Sequence, residues 1–363
     1  MDGKLSFMYW PVLGTLLSGF RHAAVDVVVG LGFSLAWHRE VAQLQPGDAF
    51  VWIGVNGKYS QPWRKLRERG VRTVFYNTEP IVQQRCELYA SGIRPIDELW
   101  DFSFFNLEHC NRSAGFGQKV PLLRYVPPGY LAVSLGHAHA KHAVSADLSA
   151  APPLLFFGAL HEGRASCFQS LLDALGNQLR STYDVWTDSR FDEVGLRPAR
   201  VLRTPHDVCV HGPNVLTSFI AVARLQSQTM RQYDLFVNLH KGCGKRMPVT
   251  FRNAVLLNSA KLIVSDRCHP RDEEMYAGLI TFAELGEIPD SYRALLAGNR
   301  TERQVRAHAG FRERFAPRRL FERAGIYQDW GLELLPSSGR IREADEAADV
   351  KAEGGDTERR AES

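Results

Sequence analysis

Residues 233–240 read Tyr-Asp-Leu-Phe-Val-Asn-Leu-His, and Lys241-Gly-Cys-Gly-Lys-Arg246 follows directly. Pro248 then opens a helical run that closes on Asn258-Ser259, and an apolar run, Lys261-Leu-Ile-Val-Ser-Asp266, comes next. The order is strand, glycine-rich basic loop, helix, strand. It places backbone N–H groups and two or three cations at a helix N-terminus, beside the C-terminal end of a strand. Helix dipole, unpaired amides and fixed charge all favour an anion there, and a diphosphate fits best.

Outward from this stretch, strands alternate with helices on both sides. Residues 24–33, 49–55, 71–76, 97–101 and 122–126 read as strands rich in β-branched and aromatic residues, separated by helical spacing at 34–44 and 61–69. Pro127-Pro-Gly129 stops that pattern, and residues 132–153, rich in Ala, Ser and His, read as a linker. A second alternation begins at Leu154-Leu-Phe-Phe157, with strands expected at 183–186, 234–239, 261–265 and 279–282 and helices at 164–180, 214–230 and 249–259. Residues 289–332 are mostly helical with many arginines. Such alternation predicts an α/β fold of parallel, doubly wound sheets. The expected division is 1–130, linker 131–153, and 154–335. Residues 336–363 are too poor in apolar side chains to bury a core and read as a disordered tail.

A chain of 363 residues exceeds the size at which one core usually stops growing, so two domains are the default. The net charge of +4 is small for this length and argues against a nucleic-acid binder. Glutamates beside the arginines of 293–323 make that segment a solvated helical surface. Cysteines 86, 110, 167, 209, 243 and 268 show no CxxC pairing and read as reduced thiols, which places the chain in the cytoplasm. No run is long and apolar enough for a membrane span, and no secretory signal is evident. Residues 5–20 are weakly apolar but broken by Pro11, Gly14 and Gly19, which leaves membrane-surface contact open as an alternative to burial.

Five short pieces carry a resemblance. Val74-Phe-Tyr-Asn-Thr-Glu-Pro80, Glu98-Leu-Trp-Asp-Phe-Ser103, Arg124-Tyr-Val-Pro-Pro-Gly-Tyr130, Phe156-Phe-Gly158 with Arg164, and Phe236-Val-Asn-Leu-His240 stand in the order seen in GT-B glycosyltransferases of the family 1/4 type. Between about residues 48 and 290 the chain resembles these enzymes. The resemblance implies two Rossmann-like domains facing a cleft. It also implies transfer of a sugar from a nucleotide-diphosphate donor, held by the second domain, to a glycan or other hydroxyl acceptor held by the first. The nucleotide sugar is then a co-substrate, and no cofactor is implied. One departure stands out: relatives carry a ribose-gripping glutamate where this chain has Val249.

The candidate donor site is Asn238, His240, Lys241, Gly242, Gly244, Lys245, Arg246 and Arg252, with Gly158 and Arg164 from the preceding strand–helix junction. A plain solvated basic loop is the competing reading. Glu79, at the end of the third strand, is the candidate general base if the reaction inverts the anomeric centre, or else a helix cap or arginine partner. Thr78, Gly54, Asn56 and Gly57 are the candidate acceptor contacts, the last three also being ordinary turn chemistry. Histidines 137, 139 and 142 lack ligand-spaced partners, and no metal site is expected. Trp63, Trp100, Trp186 and Phe104-Phe105 are expected in the core rather than stacked on a ligand. A non-catalytic nucleotide- or glycan-binding protein derived from a transferase is the alternative function.

Overall fold

The computed structural model describes residues 4–31, 38–54, 61–79, 96–112, 122–131, 155–157, 162–175, 184–186, 200–202, 233–240, 246–248 and 250–333. The expected linker and tail, the helix at 214–230, and Asn56, Gly57, Gly158, Lys241, Gly242, Gly244, Lys245 and Val249 lie outside them, as do histidines 137, 139 and 142.

The first sheet contains β1 (Val27–Leu31), β2 (Ala49–Ile53), β3 (Arg72–Tyr76), β4 (Glu98–Asp101) and β5 (Leu122–Tyr125), all parallel and in sequence order. Both faces are buried, which is why these strands read as near-continuous apolar runs. Alternate residues go to opposite layers. Phe50, Trp52 and Phe75 pack with Trp63 and Leu66 of α3 (Gln61–Glu68), while Val51, Ile53, Val74 and Tyr76 face the other way. Right-handed crossovers between strands taken in order keep their helices on one face, so other elements must cover the second. That cover comes from α1 (Lys4–Arg21) and from the chain's last helices, α10 (Pro317–Arg323) and α11 (Ile326–Asp329). The strand order therefore differs from the doubly wound expectation in this half: no reversal occurs among its described strands.

Helix α1 resolves the status of residues 5–20. Val12, Leu16 and Phe20, four apart, form a buried stripe. The glycines that interrupt the sequence are points of close approach: a Cβ on Gly19 would stand 2.7 Å from the Phe321 ring. Tyr327 donates its hydroxyl hydrogen bond to the Gly19 carbonyl across the same contact. The stripe at Val12, Leu16 and Phe20 is core, and among the described residues no helix is long and apolar enough to cross a membrane.

The second sheet holds β6 (Leu155–Phe157), β7 (Asp184–Trp186), β8 (Arg200–Leu202), β9 (Leu235–Asn238), β10 (Leu262–Asp266) and β11 (Thr281–Ala283), again parallel. Strand β8 was not expected from the sequence. The spatial order is β11-β10-β9-β6-β7-β8, so the chain's direction of travel reverses between β6 and β9. One face packs on α5 (Glu162–Leu175) and α8 (Ile288–Ala297) through Phe168, Leu171, Ile288 and Tyr292. The other packs on α6 (Thr250–Asn258) and α9 (Arg300–Arg314). That second layer belongs to the same buried cluster as α1 and the inner face of the first sheet, so one core joins the two sheets. Gly129 is wedged there: its N–H bonds Thr15 Oγ1 at 2.8 Å, and Asn258 accepts from Leu131 N at 3.0 Å.

Cys110 and Cys167 are each engaged in a disulfide, against the expectation of reduced thiols throughout. Each is buried in a different packed layer, and burial of this kind leaves no mark in linear spacing. Cys268 is a free, buried thiol whose pKa burial raises.

Candidate active site

In open parallel sheets a ligand crevice forms outside the strand C-termini where the strand order reverses, because the flanking loops there diverge. Here that place is between the ends of β6 and β9. Asn238 ends β9 and His240 follows it, both buried. Arg164 falls in the first turn of α5.

His240 is fixed from the neighbouring strand. Its backbone N–H bonds Asp266 Oδ1 at 3.1 Å, and its ring Nδ1 lies 3.1 Å from the same oxygen. Asn238 is tied to the helix behind it. Arg252 Nη1 donates to Asn238 Oδ1 at 2.6 Å, and Asn238 Nδ2 donates to Asn253 Oδ1 at 2.8 Å. Arg252 is 8% exposed, so it holds the strand end in place rather than projecting from it.

A cavity of about 370 Å³ opens beside this strand end, lined by Cys167, Arg246, Asp266, Arg267, Pro270 and Glu273 among others. Arg246 is exposed and, among the described residues, makes no hydrogen bond or ion pair, which leaves its donor set for a ligand. Arg267 is instead held by Glu273 at 2.8 Å. The cavity wall thus offers an uncommitted cation among carboxylates.

Across from it, the first sheet presents the ends of β3 and β4. Phe251, in the first turn of α6, packs edge-on against Tyr76 and Phe102, at ring distances of 6.4 and 5.2 Å. Thr78 is buried, and Glu79 is half-buried with no partner on its carboxylate among the described residues. The turn that carries Glu79 is pinned through its backbone. Asn77 Nδ2 reaches the Glu79 carbonyl at 2.6 Å, and Asn106 Nδ2 reaches it at 3.2 Å. Both amides also donate to Asp101, whose carboxyl accepts the Ser103 N–H at 2.8 Å as well. Burial raises the Asp101 pKa to about 8, against the lowering effect of those donors. Gly54, at the end of β2, has φ of +122°, a conformation that L side chains rarely adopt, and its N–H bonds the Tyr76 carbonyl.

Sequence reading placed Asn238, His240, Glu79 and Thr78 at or just after strand ends, where the structure has them, and Arg246 in the loop before the next helix. It missed Asp266, Glu273, Asp101 and Asp272, which serve the same region. Asp101 and Asp266 each close a strand, a position that marks crevice residues in parallel sheets. Trp63 and Trp100 are core, as expected. Among the described residues no group of three or more His, Cys, Asp or Glu is placed to hold a metal ion.

No family model matches the chain, and no curated protein matches it. Solved structures do. The α,α-trehalose 6-phosphate synthase of Burkholderia multivorans aligns with 98% of this chain and 79% of its own, at 10% identity and a TM-score of 0.51. An α,α-trehalose-phosphate synthase (UDP-forming) of Burkholderia xenovorans, solved with glucose-6-phosphate, covers 90% of this chain and 81% of its own at 11% identity, TM-score 0.51. The trehalose-6-phosphate synthase OtsA gives 13% identity over 90% of this chain and 80% of its own, also at 0.51. At such identities the likeness is one of fold. The chain has the two-sheet α/β architecture of GT-B glycosyltransferases over most of its length.

Proposed function

We propose that this protein transfers a glycosyl group from a nucleotide-diphosphate sugar to a hydroxyl acceptor. The observation that carries the reading is the uncommitted Arg246 on a cavity beside the β9 end, where the strand order reverses. In such a transfer the leaving group is a diphosphate, and its developing charge calls for fixed cations and helix N-termini. Arg246, with Lys241, Lys245 and Arg164, is the set proposed for that role, and Gly158, Gly242 and Gly244 let the backbone approach the phosphates. Asp266 orients His240 towards the same place. Glu79 is the proposed base on the acceptor hydroxyl, and Thr78, Gly54, Asn56 and Gly57 are the proposed acceptor contacts. The division into an acceptor domain, a linker at 131–153 and a donor domain belongs to this proposal, as does chemistry that calls on no metal.

A second reading, a nucleotide- or glycan-binding protein without turnover, draws on Arg252 and Asn238, which are bonded to each other and buried rather than presented to the cavity.

A thermal-shift panel of nucleoside diphosphates and nucleotide sugars, read beside diphosphate release, tests both. A ligand of the folded state alone raises its melting temperature by mass action. The transferase reading expects a shift with one nucleotide class, diphosphate release, and about tenfold or greater loss of affinity in Arg246→Ala, since one charge-assisted hydrogen bond is worth roughly 1.5–3 kcal/mol. Glu79→Gln should retain binding and lose about 10²-fold or more of turnover. Binding without release across a panel of hydroxyl acceptors would favour the second reading. No shift with any nucleotide would sink the diphosphate site.

A further inference from the structure

The segment from Asp266 to Glu273 has two faces. One lines the cavity through Asp266, Arg267, Cys268, Pro270 and Glu273. The other seats the start of α7 (Pro270–Met275) on α4 (Phe104–Arg112) of the first sheet. Three contacts make the seat. His269 Nδ1 accepts from Arg271 N, so its ring proton sits on Nε2, 3.1 Å from Glu108 Oε1. The Arg271 guanidinium lies 3.9 Å over the Phe104 ring, which itself stacks on Tyr125 at 3.8 Å. Asp272, fully buried, accepts from Ser103 Oγ at 3.0 Å and from Phe104 N at 3.2 Å.

The third contact is unusual in kind. The first turn of a helix leaves its N–H groups without partners, and a nearby side chain normally caps them. Here Asp272, from the other sheet, takes the first N–H of α4, while Ser103 takes the second. The N-terminal cap of α4 is therefore shared between its own Ser103 and Asp272 of α7. The same helix carries Asn106, which with Asn77 and Asp101 fixes the Glu79 carbonyl. A continuous run of hydrogen bonds leads from the cavity-wall segment to the turn bearing Glu79.

We propose that Asp272 is a positioning residue that ties the cavity wall to the Glu79 turn, so that occupation of the cavity and placement of Glu79 are coupled. The assignment of roles to the two ends rests on the transferase reading; the mechanical link does not.

Amide hydrogen exchange on the full chain tests it in two arms. Without ligand, Asp272→Ala should speed exchange of residues 77–79 and 103–107 about tenfold or more, while the amides of β2, 49–53, keep their protection. Unchanged exchange at 77–79 overturns the link, and so does a uniform rise at all three places, which is lost fold stability alone. Should the alanine variant not fold, Asp272→Asn is read the same way, with a rise of about threefold expected from the loss of one acceptor. In the second arm UDP and GDP are the probes. Whichever binds should slow exchange at 77–79 in the wild type but not in Asp272→Ala, with the dissociation constants within about threefold of each other. Equal slowing in both proteins overturns the coupling. Failure of either nucleotide to bind the wild type counts against the diphosphate site, while the ligand-free arm still decides the link.

Discussion

Two buried carboxyl groups join distant parts of this chain, and they do it by opposite means. Glu98, on β4, fastens the C-terminal return to the first sheet. Its Oε1 accepts from Arg72 at 3.1 Å and Trp330 Nε1 at 2.6 Å, and its Oε2 from Arg124 Nε at 2.6 Å and Trp100 Nε1 at 2.7 Å. Arg124 carries the connection onward to the Ala324 carbonyl and Asp329. Asp272 fastens the second sheet to the first, but its partners are a hydroxyl and backbone N–H groups. Two guanidiniums hold Glu98; neutral donors hold Asp272, and burial pushes its pKa up to about 7. A carboxylate facing guanidiniums makes a clamp between opposite charges, whereas one held by neutral dipoles makes a joint that a proton can alter.

The hardest break falls on the clamp. Glu98→Gln leaves Arg124, 5% exposed, without its main counter-charge. Breaking one side of a buried pair typically costs about 3–5 kcal/mol. Chemical denaturation should show a loss of that order, with the near-UV signal of Trp100 and Trp330 altered. A loss below about 1 kcal/mol would mean that Asp329 alone satisfies Arg124, and that the comparison between clamp and joint is false.

The two regions also differ in how readily the sequence revealed them. The strands were legible because a sheet buried on both faces demands unbroken apolar runs, and Ala49–Ile53 and Leu262–Asp266 supply them. The position of Asn238 and His240 was legible because polar residues closing such a run must face a crevice. Spatial order was not, since β6 and β9 become neighbours only through the second sheet's reversal. Nor was the clamp. Arg318, Arg319 and Arg323 read as a solvated surface, which they largely are, but Phe321 and Trp330 from the same stretch pack against Phe20 and Trp100. Helix α1 was hidden by Gly14 and Gly19, whose missing side chains permit the contacts that bury it. Asp101 and Asp272 were missed for a related reason: their partners lie on other strands and helices, where no local spacing connects them.

The joint should respond to pH. Burial raises Asp101 to about 8 and Asp272 to about 7 from an ordinary 3.8. Asp101 of β4, Tyr125 of β5, and Cys268 and Tyr276 at the two ends of α7 surround Asp272. A raised acid binds its proton more tightly folded than unfolded. The stability it supports is complete below pH 3.8 and is lost as pH rises through about 7 and 8. Between about pH 5 and 8 the wild type should therefore lose more stability than Asp101→Asn, by about 3–4 kcal/mol, since a tenfold difference in proton affinity is worth about 1.36 kcal/mol. Urea denaturation of both proteins at the two pH values measures the difference of differences, which cancels the other titrating groups. Parallel losses would show that the Asp101–Asp272 pair ionises without strain, and the contrast with Glu98 would rest on counter-charge alone.

The smallest effect is expected where charge is abundant and burial absent. Arg306 pairs with Glu302 four residues before it on α9, with side chains 72% and 58% exposed. Water screens both partners, and holding two long side chains together costs rotamer entropy, so exposed pairs of this spacing contribute about 0.3–0.5 kcal/mol. Glu302→Gln should accordingly shift stability by no more than about 0.5 kcal/mol, less in high salt, and leave exchange at the Glu79 turn untouched. A loss near 2 kcal/mol would place α9 among the charge-dependent fastenings, and burial of the carboxylate would no longer be what distinguishes clamp and joint from the rest of the surface.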